Sequence, residues 1–485
     1  MPSKNESTLT KSFVLLSMGP WMSALISFFT TPITTYFIVP EEFGKASMYT
    51  VTYNLLVYVA LLGTDQSYMR MFYERETRHR SNLLWNSLVP SLTMALLVSL
   101  AILLFRRELS LLLFGKDDEL FSIIILASSI IVAVIERYGT LTLRMKKRAL
   151  AYSSLRVVVT LANAGGLVFY AIVFQRDFNA ILVGTVFSHS IVMILSIGME
   201  FQFWKSGFSI SLSSIKQNII YGLPFVPSLI LYWVLSSMDK LALRTLSSFE
   251  EIGMYAAAFK IVSILLLIQS GFSMFWTPVA YETYEKNPNN TKFYSKINAL
   301  LSCTMLIVGL FILTLKDLII LILDPAYLMA AGIMPFLIFQ PLMATVSSTT
   351  GIGINLKKRT HWHLWIALMA AGTNLIGNLL LVPIYGAKGA ALSTGIAYIV
   401  LYYSRTTFSK RLFSINYSVA RFTVGTIVLG ISALIHTFSD SILLGILSSL
   451  AGFPIVIILF YSEIRYLISL FRVYMMKILG KIKIK

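Results

Sequence analysis

Apolar residues run in long stretches along almost the whole chain, with short polar links between them. Fourteen stretches stand out, near 12–39, 46–64, 82–105, 120–142, 150–174, 179–200, 219–243, 252–278, 297–323, 330–352, 362–383, 387–404, 422–438 and 442–463. Most reach or exceed the roughly 18 residues needed to cross a hydrocarbon core about 30 Å thick. A backbone inside a bilayer must satisfy its own hydrogen bonds, so each stretch is predicted to be a helix. The fold class expected is therefore an all-α polytopic membrane protein with about 14 transmembrane helices. The first stretch follows a polar segment carrying Lys4 and Lys11. It is too long for a signal-peptide core and has no small-residue cleavage site, so it reads as a retained helix.

Composition agrees with this pattern. Of 485 residues, 56% are hydrophobic and only 13% charged, and the mean hydropathy is +0.76. A soluble domain of this size carries far more charge. The single cysteine, Cys303, lies in an apolar stretch and can form no internal disulfide. The net charge of +18 first suggests nucleic acid, but its distribution says otherwise. When the links are assigned alternately to two sides, the side holding both termini receives about 29 of the 40 Lys and Arg residues, and the other about 9. Basic clusters on the first side include Arg75, Arg78 and Arg80, then 144–148, 357–359 and the tail 472–485. The opposite links carry Glu41, Glu42, Asp117, Asp118, Glu119, Glu250 and Glu251. Positive charge gathers on the cytoplasmic side, so both termini are expected in the cytoplasm.

The chain also repeats. MKKR at 145–148 matches LKKR at 356–359, and NAGG at 163–166 matches NLIG at 374–377. Ala180 and Gly184 match Ala391 and Gly395, all at one offset, and EEFG at 41–44 matches EEIG at 250–253 at nearly the same one. The expected organisation is two six-helix repeat bundles, 1–205 and 206–415, followed by 416–485 with two further helices and a basic tail. An even number of helices per repeat gives both halves one orientation, and transporters built this way bind substrate between the halves. A channel or duplicated scaffold is the alternative. GP at 19–20 and GLPFVP at 222–227 are expected to open helices 1 and 7 at matched places, where interrupted helices point to a gate or binding region.

Three segments resemble bacterial polysaccharide flippases. The segment 354–400 carries a basic turn, a helix with Asn, and then Pro383, Tyr385, Gly386, Gly389, Ala390 and Ala391. The segments 221–261 and 61–74 are similar to that family's helix 7–8 region and helix 2 exit. The resemblance is to the O-antigen and capsule flippases, within the multidrug/oligosaccharidyl-lipid/polysaccharide exporter superfamily. It implies two six-helix bundles around a central cavity. It also implies a substrate of undecaprenyl-diphosphate-linked oligosaccharide, moved from the inner to the outer leaflet by alternating access. The partners then implied are the polyprenyl-linked glycan and membrane lipids, with a proton or sodium ion for coupling and a polysaccharide polymerase as further candidates.

A diphosphate and a glycan crossing the membrane need cations and hydrogen-bonding groups. Ionisable residues inside spans are the first candidates. Lys260 lies about 12 Å below the outer end of its helix at 1.5 Å per residue, deep for snorkelling. Substrate contact is expected from Lys260 and Arg156, with Asn163, Asn374, Asn378 and Gln269 lining the cavity. Bonding between helices is the competing role for Asn163 and Asn374. Gate or coupling roles fall to Asp239 and Lys240 at one side, and to Asp65, Arg70, Glu136 and Arg137 at the other. An interfacial patch with Arg244 is the alternative for Asp239 and Lys240. His361 and His363 sit beside Trp362 and Trp365, an aromatic belt rather than a metal pair. No P-loop, HExxH or GxSxG occurs, so no cofactor, metal or catalytic residue is expected and the chain is not read as an enzyme. The remaining alternative is a cation-coupled multidrug or toxin antiporter. Such a protein is expected to carry an intramembrane carboxylate, and the first helix has none.

Overall fold

The computed structural model describes residues 4–206 and 208–469, with side chains from residue 18 onward. The basic tail 472–485 lies outside the described residues. Every regular element among the described residues is helical. Contacts divide the chain into two units, Met1–Ala256 and Ala257–Lys485.

The first unit holds α1 (Lys4–Phe37), α2 (Pro40–Leu61), α3 (Thr64–Met71), α4 (Arg80–Leu104), α5 (Arg106–Phe114) and α6 (Leu120–Met145). It continues with α7 (Ala149–Val173), α8 (Asn179–Met199), α9 (Phe201–Lys205), α10 (Leu212–Gly222) and α11 (Phe225–Leu246). Helix α12 (Phe249–Val262) runs from this unit into the next. The second unit holds α13 (Leu265–Lys286), α14 (Thr291–Ile320), α15 (Met334–Leu337), α16 (Phe339–Thr350), α17 (Ile352–Leu356), α18 (His361–Leu412), α19 (Val419–Phe438) and α20 (Ile442–Leu459). Among the described residues, nine helices are long and apolar enough to cross a membrane, and counting three sharply bent pairs as single spans gives twelve. Large apolar side chains such as Phe169, Ile172, Leu104 and Ile458 are exposed. Lipid is the solvent such faces require.

Helix α18 has 52 residues, yet it is not one rod. Gly386 has non-helical angles, φ 54° and ψ −131°. In a straight helix, Leu381 and Gly389 would stand about 12 Å apart. Here a Cβ on Gly389 would lie 2.3 Å from the Leu381 carbonyl oxygen. The chain turns back at PIYG, so the segments predicted at 362–383 and 387–404 are the two arms of a hairpin. Asn374 ties the arms together, and Asn378 braces it from the same arm. Asn374 Nδ2 donates to Thr394 Oγ1 (3.3 Å), Asn378 Nδ2 to Asn374 Oδ1 (3.0 Å), and Ser393 Oγ to the Asn374 carbonyl (2.8 Å). The matched hairpin of the first unit repeats the device, with Asn163 Nδ2 donating to Thr185 Oγ1 at 3.2 Å across α7 and α8.

One break falls at the end of the apolar run 46–64, and another inside the run 252–278. Helices α2 and α3 meet at 54°, and α12 and α13 at 45°. At the first break, Leu62 and Gly63 both take positive φ, 51° and 68°. The carbonyl of Leu61, freed from the helical ladder, accepts from Thr64 Oγ1 (2.9 Å) and Ser91 Oγ (3.0 Å), and Thr64 also meets Tyr138 Oη at 2.7 Å. Buried hydroxyls thus satisfy the broken backbone, which a bilayer demands. The GP motif behaves differently from expectation. Pro20 lies inside α1, which starts at Lys4, whereas the paired motif at 222–227 does separate α10 from α11. A proline costs one backbone bond, which a span can tolerate.

Candidate functional site

The first unit buries a short row of charges beside the α2–α3 break. Asp65 occupies the first turn of α3 and is 2% exposed. Arg137 on α6 donates to Asp65 Oδ2 through Nε at 3.1 Å and Nη2 at 2.8 Å, and Gln66 Nε2 adds a bond at 3.0 Å. The other oxygen, Oδ1, is buried with no hydrogen-bond partner among the described residues. Next along α6, buried Glu136 reaches His189 Nδ1 on α8 at 2.7 Å, and Tyr53 packs on the His189 ring. Arg70 stands outside this row, exposed and paired with Glu74. Of the four residues expected near this end, the fold therefore joins Asp65 with Arg137, gives Glu136 a histidine, and leaves Arg70 at the surface.

The matched turns EEFG and EEIG meet each other. A Cβ on Gly44 would lie 1.8 Å from the carbonyl oxygen of Phe249, and one on Gly253 would lie 1.8 Å from that of Pro40. Gly44 matches Gly253 and Pro40 matches Phe249 at one sequence offset, so the contact is reciprocal, as contacts across a twofold axis are. Only glycine permits so close an approach. Around it, Lys45 pairs with Glu41 at 2.9 Å and Glu42 at 2.6 Å, and Arg244 lies over the Phe249 ring at 4.5 Å. Arg244 also donates to the carbonyls of Leu111 and Leu112 at the end of α5, at 3.0 and 2.7 Å. Cations suit a helix C-terminus, where carbonyls are unpaired. Asp239 accepts from Tyr255 Oη at 2.6 Å, and Lys240 beside it is half-buried. Arg156 lies along Tyr152, at 5.4 Å from its ring, and its carbonyl accepts from Ser23 Oγ of α1 at 2.5 Å.

In the second unit, Lys260 is half-buried in the last turn of α12, just before the bend into α13. Its own carbonyl accepts from Ser263 Oγ at 2.7 Å. An ammonium in the last turn lies near the orphan carbonyls of the helix end, which favours a charge at this depth. An apolar run read as one helix concealed that break. Gln269 is half-buried on α13.

Arg405 was missed by sequence reasoning. It followed the last apolar stretch of its helix and so counted as part of a link, but α18 continues to Leu412 and places it inside. Its Nη1 donates to Ser347 Oγ at 3.1 Å, its Nε is buried without a partner, and no carboxylate lies within 4 Å among the described residues. The only signal was the absence of Gly and Pro between 396 and 413, so nothing marks a helix end at residue 404. Removing an uncompensated guanidinium should leave folding unharmed. Arg405→Met is expected to keep its melting temperature in detergent, and a lower one would make Arg405 a structural residue.

Long helices with exposed apolar faces, and three sharply bent helix pairs, define a polytopic membrane protein. The chain belongs to the polysaccharide biosynthesis protein family, whose model matches residues 9–284. That range includes 61–74 and 221–261 and stops short of 354–400. No curated protein matches the chain. The fold is similar to that of the lipid II flippase MurJ in an inward closed conformation, at 15% identity over 94% of this chain and 100% of that one, with a TM-score of 0.69. It is also similar to an inward-facing multidrug resistance MATE family transporter of the MOP superfamily, at 16% identity over 85% and 94% of the two chains (TM-score 0.56). A mutant of the Vibrio cholerae MATE transporter VcmN shows 14% identity over 84% and 97% (TM-score 0.57). At these identities the likeness is one of fold.

Proposed function

We propose that the protein flips polyprenyl-diphosphate-linked oligosaccharide repeat units from the cytoplasmic to the outer leaflet of a bacterial inner membrane, by alternating access, for surface polysaccharide synthesis. Membership of the polysaccharide biosynthesis family carries this reading, and the fold shared with a lipid II flippase supports it. The excess of basic links on one side supports cytoplasmic termini. In this reading the repeat halves are 1–205 and 206–415, with 416–485 appended, and undecaprenyl is the expected lipid. The Gly44–Gly253 turns close the outer end of the pathway. Lys260, Arg156 and Arg405 supply cations for the diphosphate, and Gln269 lines the path. Asp65, Glu136 and Asp239 are the carboxylates available for coupling to a proton or sodium gradient. A transport rate in proteoliposomes that ignores pH would remove protons from that role.

The multidrug transporter likeness favours a second reading, a cation-coupled antiporter. The absence of any acid in residues 12–39 counts against it. Deletion of the gene, complemented by wild type or Lys260→Ala, separates the two. Loss of surface polymer with accumulated lipid-linked units, restored by wild type alone at equal expression, is the expected result. Rescue by Lys260→Ala keeps the flippase and removes Lys260 from substrate contact. Unchanged polymer without accumulation, in a host lacking a second flippase, selects the antiporter.

A further inference from the structure

The second unit contains a polar cavity that neither half of the flippase reading uses. It has a volume of about 280 Å³ and lies where α14 and α19 end and α20 begins. Lys316 and Asp317 enter it from α14, Lys388 from the returning arm of the α18 hairpin, and Thr437 and Asp440 from the end of α19 and the link beyond it. Its charges balance, two cations against two anions, but they do not satisfy one another. Lys316 Nζ takes Asp317 Oδ1 at 2.6 Å. The second oxygen, Asp317 Oδ2, is buried with no partner, and so is the hydroxyl of Thr437, a residue 3% exposed. Lys388 makes no ion pair among the described residues; its side chain passes over Gly332, and its Nζ lies 6.0 Å from the Phe438 ring. His436, also on the wall, is committed to Ser449 at 2.7 Å.

The pocket therefore presents unmet donors, Lys388 and Thr437, and an unmet acceptor, Asp317, within one small volume. A plain anion would meet the free Asp317 oxygen, and a plain cation would meet Lys388. A group that carries a phosphate and a hydrogen-bond-donating amine together satisfies both. Leu328, Met329 and Ile442 line the same cavity and are 45%, 69% and 59% exposed. Such a rim suits acyl chains better than bulk water. We propose that this pocket binds the phosphoethanolamine headgroup of a membrane phospholipid, with the phosphate on Lys388 and Thr437 and the ammonium on Asp317 and Asp440.

Native mass spectrometry of the full-length protein tests this. The protein is titrated with phosphatidylethanolamine, phosphatidylcholine, phosphatidylglycerol and soluble glycerophosphoethanolamine. Phosphatidylcholine keeps the phosphate and positive charge but cannot donate a hydrogen bond to Asp317. Phosphatidylethanolamine is expected to bind about tenfold tighter than either other lipid, the worth of one charge-assisted hydrogen bond. Lys388→Ala should lower its binding about tenfold, and Asp317→Asn should erase its preference over phosphatidylcholine. Lys388 is half-buried and makes no ion pair, so its variant keeps the fold and decides the matter if Asp317→Asn does not express. Equal binding of the three lipids, unchanged binding by Lys388→Ala, or a cavity that holds only water overturns the proposal. Soluble glycerophosphoethanolamine binding as tightly as the lipid overturns the role of the acyl chains.

Discussion

Gly44→Ala and Gly253→Ala are each expected to reduce transport about tenfold or more, because overpacking a site that cannot relax costs about 1–3 kcal/mol and sometimes more. The obstacle in both cases is a backbone carbonyl at 1.8 Å from the added methyl carbon, not a side chain that can rotate away. The first turns of α2 and α12 would have to separate. A transporter that works by alternating access needs each end to close in turn, so a closure that no longer seats should stall the cycle while leaving the helices folded. Accumulated lipid-linked units in a complemented deletion strain measure the loss. Gly165→Ala and Gly198→Ala are the controls, since nothing lies within 4 Å of either added carbon. Normal polymer from both gate variants, at normal expression, would show that the contact is not part of the cycle.

Breaking the Asp65–Arg137 pair is expected to have the second large effect, on stability first. Removing one partner of a buried ion pair costs about 3–5 kcal/mol, because the survivor keeps its charge without compensation. Asp65 is 2% exposed and Arg137 has a third of its side chain open, so Arg137→Met, which strands the buried carboxylate, should be worse than Asp65→Asn. The double variant should recover part of the loss, with a coupling of about 1–3 kcal/mol in a thermal-unfolding cycle. Additive losses would show that the two groups do not interact. If the double variant regains its melting temperature but not transport, the pair serves the cycle as well as the fold, and the unpartnered Asp65 Oδ1 is the atom to suspect of binding a coupling ion.

The helices were legible in the sequence, and the reason is physical. A bilayer interior forbids unpaired backbone groups, so apolar length alone identifies a span. The segments at 120–142, 150–174 and 179–200 are matched by α6, α7 and α8 almost to the residue. The break between α10 and α11 was legible because a proline motif marked it. The breaks at Gly63 and Ser263 were not. Their cost is met by Thr64 and Ser263 at the breaks themselves and by Ser91 and Tyr138 from α4 and α6. Hydropathy averages over such hydroxyls and cannot see where they point.

The candidate site was legible in kind and not in pairing. Charges inside apolar runs are few, so Lys260, Arg156, Asp65, Glu136 and Arg137 stood out one by one. Which of them meet depends on helix rotation and on contacts far apart in sequence. Tertiary structure decided that Arg137 goes to Asp65, that Glu136 goes to His189, and that Asn163 and Asn374 bond across hairpins. It also moved Arg405 from a link into a helix.

The repeat shows the same division most clearly. The sequence by itself determined that the chain is a polytopic membrane protein, since that property is written in composition along one dimension, and it showed that segments such as EEFG and EEIG match. Only the tertiary structure decided that EEFG and EEIG touch one another through their glycines, and that Lys388, Asp317 and Thr437 share a cavity. Apolar length and internal likeness are local properties that each segment carries alone, whereas a contact at 1.8 Å or a pocket of unmet charges exists only when distant segments are brought together in one orientation.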